Sequence, residues 1–444
     1  MPVKIIETTP SAYRYPLLIK QLLKNALTHS SGKEIVYGDQ VRYDYDTLSR
    51  RIAKLANALG DLGVKQGDMV AVMDWDSHRY LECFFAVPAI GAVLHTINTG
   101  LAPEQLAYTI NHAEDDVILV NADFLPLLEA VKDKLDTVKT FILITDENRA
   151  IKSSLAIYAE FEKMIADCHH EYEFPDFDEN AMATCFYIVG ATGLPKGVCF
   201  SHRQVVLHTY GLMSAFCSPR TDMSLDSGDV YMPLAPMHHA HAWGMPYLFT
   251  MMASKQVYPG KYEPDALLKL LVKEDVTFSL CAPGIIRMLL NSRAICRTDL
   301  SKWKVVVGGV ALPEGMCETA LEKNINICSA YGMSESGPLL AVSNLKEHML
   351  DWERSKQVSV RCRTGFPAPL VDLEIINPYG KPLPHDGKSV GEVVVRSPWL
   401  TLGYLNDSGK SEALWEDGWL HTGDMGFIDS EGYLQITGRI KETR

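Results

Sequence analysis

The chain has 444 residues, 42 Lys and Arg against 55 Asp and Glu for a formal charge of −13, and 47% hydrophobic residues. That length exceeds what one core usually supports, so two or three subdomains are expected, and the acidic balance argues against nonspecific nucleic-acid binding while leaving room for a local basic pocket. Ten singly scattered cysteines without a Cys-x-x-Cys pair point to reduced thiols. The N-terminus Met1-Pro2-Val3-Lys4-Ile5 lacks a signal-like apolar region and no apolar run reaches span length, which makes a cytoplasmic location without a membrane span the expectation.

In chain order, Leu48, Ile52, Leu55, Ala56 and Leu59 recur at helical spacing behind Asp46 as the expected cap, and Met69–Met73 reads as a buried strand. A helix over about His78 to Ile90, a strand Val93–Thr96, a helix opened by Pro103 and strands at Val117–Val120 and Phe141–Ile144 continue the alternation, which predicts parallel sheets built from βαβ units. Glu147–Asn180, charged and aperiodic, reads as a connector. The pattern resumes with a strand Ala183–Val189, a helix Val205–Phe216, a helix and strand over Leu267–Val276 and a strand Val305–Gly308. Beyond about Leu345, short Val/Ile runs broken by Gly, Pro and Asp (Asp372–Ile376, Gly391–Arg396, Gly432–Thr437) indicate a smaller β-rich unit. The expected fold class is therefore α/β, with a first α/β subdomain and connector over 1–180, a second over 181–345 and a β-rich subdomain over 346–437.

The strand ending at Val189 runs into Gly190-Ala191-Thr192-Gly193-Leu194-Pro195-Lys196-Gly197. Glycines let a backbone turn tightly and bring N–H groups to an anion, and Lys196 adds a mobile positive charge, so the run reads as a phosphate cradle. It is not a Walker A loop, because Gly197 rather than Ser or Thr follows the lysine. Downstream, in fixed order, stand Pro236-Met237-His238-His239-Ala240-His241-Ala242-Trp243-Gly244, Gly308-Gly309-Val310-Ala311, Tyr331-Gly332-Met333-Ser334-Glu335, Asp417-Gly418-Trp419-Leu420-His421-Thr422-Gly423-Asp424 and Gly438-Arg439-Ile440-Lys441-Glu442.

These segments together resemble the adenylate-forming superfamily of acyl-CoA synthetases, luciferases and peptide-synthetase adenylation domains, and most of all its medium- and long-chain fatty-acyl-CoA ligases. The resemblance implies ATP-dependent activation of a carboxylic acid through an acyl-adenylate, with transfer to coenzyme A. It assigns the β- and γ-phosphates to Lys196 and the Gly190–Gly197 amides with Thr192, and Mg²⁺ to Glu335 beside Ser334. Asp424 takes the ribose hydroxyls, since a carboxylate can accept two donors. Tyr331, Gly308 and Gly309 enclose the adenine, with Gly332 also nucleotide-binding, and Arg439 and Lys441 reach the ribose and phosphate edge. His239 stands beside the acyl carboxylate, with Trp243, Met245 and Val310 lining the acyl channel; His238 and His241 carry no role. A homodimer is left open.

Two departures from the family pattern accompany the resemblance. Ile188, Val189 and Ala191 occupy positions where the family shows Thr or Ser, which implies impaired ATP handling. The chain also stops just past the hinge at Gly438–Glu442, so 438–444 is expected to be a hinge stub without the C-terminal lid. An inactive nucleotide- or acyl-binding protein, and an adenylating enzyme for an aromatic acid or a carrier protein, are the alternative readings.

Overall fold

The structure is a computed structural model, which describes residues 3–29, 32–147, 150–189, 193–217 and 221–440. Three sheets organise it, of nine, seven and five strands.

The first helix of the expected alternation spans Tyr45–Asp61 and buries Leu48, Ile52, Leu55, Ala56 and Leu59 on one face. Its cap is Asp44 rather than Asp46: Asp44 is extended and its Oδ1 accepts from the Thr47 N–H at 2.8 Å. Asp46 lies inside the first turn, where a carboxylate faces the positive end of the helix dipole. Met69–Met73 follows as a wholly buried strand between two parallel neighbours, Val93–Thr96 and Asp115–Asn121. Burial on both faces is what a continuous apolar run in a parallel sheet requires.

The sheets cut the chain differently from the expected boundaries. Met182–Ile188 pairs in parallel with Val93–Thr96 (Leu94 opposite Thr184, His95 opposite Cys185) and turns back as Lys196–Ser201, so both belong to the seven-stranded sheet of the N-terminal part. Conversely, Glu34–Tyr37 pairs in parallel with Lys255–Tyr258 and joins the nine-stranded sheet. That sheet continues past residue 345 to Phe366–Pro367, beyond the helix Arg354–Arg361, and the antiparallel five-stranded sheet begins at Asp372–Ile376. A strand carries the same apolar pattern whichever sheet it joins, so periodicity could not assign these members.

The stretch read as a connector holds a strand, Ile157–Glu160, on the edge of the seven-stranded sheet, and a helix, Phe161–Ala166. Each is too short to show a period. Glu160 caps the helix by accepting from the N–H groups of Glu162 and Lys163. Among the described residues no helix is long and apolar enough to cross a membrane.

Aromatic rings seated on glycines lock the layers together. On the helix His202–Cys217, the His208 ring occupies the space beside Gly244 and Gly337, where added Cβ atoms would approach it to 2.8 and 3.3 Å. Its Nε2 accepts from the Leu339 N–H at 3.4 Å. Trp399 lies edge-on to the same ring and covers Gly211, whose Cβ would meet the indole at 2.5 Å.

Burial pushes the His208 imidazole down to about 3. An unfolded histidine titrates near 6.5, so between these values the unfolded chain binds a proton that the folded chain refuses. The stability this group contributes is complete above about pH 6.5 and is lost as pH falls toward 3, at about 1.4 kcal/mol per pH unit. His208→Gln should therefore shrink the difference in unfolding free energy between pH 7 and pH 5 by about 2 kcal/mol. Urea unfolding at the two pH values measures it, and an unchanged difference would reject the buried neutral imidazole.

Candidate active site

The cradle hairpin is set by register: Ile188 lies opposite Lys196, Tyr187 opposite Gly197 and Cys185 opposite Cys199. Gly190, Ala191 and Thr192 lie outside the described residues. Of the flanking positions, Gly193 is left-handed at φ +98°, a conformation that glycine adopts without strain. Gly197 is needed for contact, because a Cβ there would come within 3.0 Å of Leu405.

Lys196 opens the return strand and its Nζ stands 4.6 Å from the ring centroid of Tyr404, a cation–π distance. The Tyr404 hydroxyl donates to Glu335 Oε1 at 2.6 Å. Glu335 itself is buried in the short turn Ser334–Ser336, and its backbone carbonyl accepts from the Thr401 N–H at 2.8 Å. Thr401 Oγ1 donates to the Cys199 carbonyl and the Leu405 N–H to the Gly197 carbonyl, at 2.9 and 2.8 Å. The loop from Trp399 to Leu405 thus ties the cradle hairpin to the Glu335 turn.

A second cluster surrounds a cavity of about 330 Å³, within the size range of small-molecule sites. Its walls come from the end of the strand Asn326–Gly332, from Gly309 and Val310, and from the five-stranded sheet through Asp424, Gly438 and Arg439. Asp424 is buried, with the Tyr331 hydroxyl on Oδ2 at 2.7 Å and Arg439 Nε on Oδ1 at 2.9 Å. A carboxylate has about four lone-pair positions, so two acceptor positions remain. Burial and the Asp424 charge hold the Tyr331 phenol well above its ordinary value, which keeps it a donor. Gly332 borders the cavity, but its own requirement is backbone packing: a Cβ would fall 1.4 Å from the Pro338 carbonyl oxygen. Lys441 lies outside the described residues.

The expected acyl lining is divided. Ala240, His241, Ala242, Trp243 and Gly244 form a left-handed turn, with φ between +47° and +73°. Left-handed non-glycine residues cost about 1–2 kcal/mol each, and this run is sustained by burial. The His241 ring contacts the Thr184 hydroxyl and lies edge-on to Phe84 and Phe186. The turn lays Trp243 on Gly308, whose Cβ would meet the indole at 2.5 Å. Trp243 and Met245 are core residues, at 4% and 0% exposure, whereas Val310 is 62% exposed on the cavity of Tyr331 and Asp424. His239 precedes the turn with its edge reachable by solvent, yet the surrounding protein pushes its pKa below the ordinary imidazole value.

A family profile described as AMP-binding enzyme matches residues 23–405. The chain belongs to the AMP-binding enzyme family. It is 36% identical to a 3-methylmercaptopropionyl-CoA ligase of Ruegeria lacuscaerulensis, covering 96% of this chain and 79% of that protein. It is 35% identical to a long-chain-fatty-acid–CoA ligase of Thermus thermophilus, covering 95% and 76%. A fatty acyl CoA synthetase of Mycobacterium tuberculosis, 22% identical, superposes with a TM-score of 0.82 over 96% of this chain and 79% of that one, which shows the fold. These relatives put this AMP-binding enzyme among the acyl-CoA ligases, which join an acid to a thiol with formation of AMP.

Tyr404 and Thr401 were invisible to the sequence reading. Leu402-Gly403-Tyr404-Leu405 carries no charge, no period and no nucleophile, so the only available signal was a tyrosine beside a glycine.

The Trp243 packing predicts a specific coupling. Gly308→Ala should destabilise the AMP-binding enzyme by about 1–3 kcal/mol, the usual cost of overpacking. In a Trp243→Leu background the same change should cost less than half as much. Guanidinium unfolding of the four proteins tests this, and additive losses would remove the contact from the account.

Proposed function

We propose that this enzyme activates a fatty acid: the acid carboxylate attacks the α-phosphorus of ATP and releases pyrophosphate, and the acyl group then passes from AMP to the thiol of coenzyme A. The observation that carries the reading is the buried Asp424 carboxylate, oriented by Tyr331 and Arg439, on a cavity whose glycine-bearing wall admits a flat base. In this reading Gly309 and Tyr331 border the adenine, Gly308 is given over to packing against Trp243, and the remaining lone pairs of Asp424 accept the ribose hydroxyls. The long-chain substrate named for the Thermus relative supports an aliphatic acid.

Two anions must meet in the first step, so positive charge near the phosphates decides the rate. Lys196 and the cradle amides, with Thr192, supply donors to the β- and γ-phosphates. Among the described residues no three His, Cys, Asp or Glu side chains gather into a metal site. That suits Mg²⁺, which commonly binds through one or two carboxylates plus substrate phosphates, and Glu335, with one oxygen on Tyr404, keeps capacity for a hard cation. Bound there, the cation would neutralise charge building on the phosphate oxygens. His239, kept neutral near pH 7 by its surroundings, offers a ring N–H to the acyl carboxylate.

Ile188, Val189 and Ala191 take hydroxyls away from the cradle, and we expect slow turnover as the result. A hydrogen bond to a charged phosphate is worth about 1.5–3 kcal/mol. Replacing all three residues with threonine should tighten binding of a nonhydrolysable ATP analogue roughly ten- to a hundredfold, read by isothermal titration. Unchanged affinity would show that these positions do not face the phosphates.

Pyrophosphate release with acetate, octanoate, palmitate and cinnamate, with and without coenzyme A, tests the reaction itself. Release dependent on octanoate or palmitate, with thioester formed when coenzyme A is added, is the expected result. Nucleotide binding without release for any acid would leave only a binding protein. The site assignment has its own check in chelator: Asp424→Ala should weaken AMP binding about tenfold or more, while Glu335→Ala leaves it nearly unchanged. Equal losses would sink the division between a ribose carboxylate and a metal carboxylate.

A further inference from the structure

Lys196 and Glu335 carry opposite charges, and both touch one residue, Tyr404, from different sides. The ammonium stands 4.6 Å from the centroid of the ring, and the carboxylate accepts the phenol proton at 2.6 Å. Among the described residues no ion pair joins the two charges directly. We infer that Tyr404 is a positioning residue that acts as a spacer, keeping the cradle lysine and the metal carboxylate from neutralising each other. This rests on the roles proposed above for Lys196 and Glu335.

The argument is chemical. A lysine drawn onto Glu335 would spend its charge on the carboxylate rather than on a phosphate, and would occupy the oxygen a cation needs. Tyrosine satisfies both groups separately. Its π face attracts a cation, and its single hydroxyl proton fills one lone pair of one carboxylate oxygen, leaving the other oxygen free to turn toward a cation. Neither leucine nor a second acid could serve both ends.

The backbone around the ring is held accordingly. Tyr404 forms an antiparallel bridge with Val198, its N–H donates to Ser411 Oγ at 2.8 Å, and the next N–H, of Leu405, donates to the Gly197 carbonyl. On the other side, the Thr401 N–H holds the Glu335 carbonyl. The Tyr404 backbone is therefore tied to the strand of Lys196 and, through Thr401, to the Glu335 turn, with the ring against one charge and the hydroxyl on the other.

Tyr404→Phe keeps the spacer and removes the hydrogen bond, whereas Tyr404→Ala removes both. Two quantities separate the roles: affinity for α,β-methylene ATP in chelator, which reads Lys196, and affinity for Mn²⁺ in the presence of that analogue, followed by electron paramagnetic resonance, which reads Glu335. Tyr404→Phe should weaken Mn²⁺ binding about tenfold and leave the chelator affinity within about twofold. Tyr404→Ala should weaken both about tenfold or more. Adding Glu335→Gln to Tyr404→Ala should restore most of the chelator affinity, because the lysine is no longer captured.

A purely structural tyrosine would instead lower both quantities together in the Phe variant, along with the melting temperature, and the Gln change would rescue nothing. Either result overturns the spacer. Glu335→Gln alone distinguishes the underlying reading: if it leaves Mn²⁺ affinity untouched, Glu335 is not the metal carboxylate, while the rescue of chelator affinity still decides whether Tyr404 separates the charges.

Discussion

The hydrogen bond from Tyr404 to Glu335, buried at 2.6 Å, closes a circuit on which the candidate site depends. Glu335 sits in a turn between two paired strands of the nine-stranded sheet, the cradle lysine opens the last strand of the seven-stranded sheet, and Tyr404 lies in the loop that follows a strand of the third. A hydrogen bond to a charged acceptor contributes about 1.5–3 kcal/mol, modest beside the core. Its importance is geometric. Three sheets that share one hydrophobic core are tied at the site by the Trp399–Leu405 loop, which bonds to two of them at once, through Thr401 to Glu335 and Cys199 and through Leu405 to Gly197.

Close approach at glycine makes that register possible. Trp399 on Gly211, Trp243 on Gly308 and the Pro338 carbonyl on Gly332 each use the missing Cβ to bring a ring or a backbone within van der Waals contact of another element. Interiors packed like crystals transmit such contacts rigidly. The left-handed turn 240–244 belongs to the same device: its strain is held by burial of the residues it displays, and it delivers Trp243 to Gly308 just after leaving His239 at the surface.

Much of the site was legible because its chemistry is concentrated in short runs. A glycine-rich loop with a lysine after an apolar strand, an acid after Tyr-Gly-Met-Ser and an aspartate in Thr-Gly-Asp need no long-range information to be noticed, and the fold brings Tyr331, Asp424 and Arg439 into contact across more than ninety residues of chain. What escaped was either short or chemically plain. Ile157–Glu160 and Phe161–Ala166 span too few residues for a period to emerge, and Asp44 and Asp46 differ as caps only in which of them turns extended. Tyr404 looks like any buried tyrosine until its two neighbours are known.

The amino-acid sequence by itself determined the α/β class, most strands and helices and the candidate reactive groups, because these follow from local periodicity, capping and side-chain chemistry. Sheet membership was decided only in three dimensions: Glu34–Tyr37 and Met182–Ile188 each join the sheet that the other part of the chain was expected to form, since a buried apolar strand fits any parallel neighbour of matching register. The placing of Lys196 over the ring and Glu335 on the hydroxyl of one phenol was likewise a tertiary outcome. The cause is that a contact between residues 196, 335 and 404 depends on how three sheets pack on one another, a quantity no local pattern encodes.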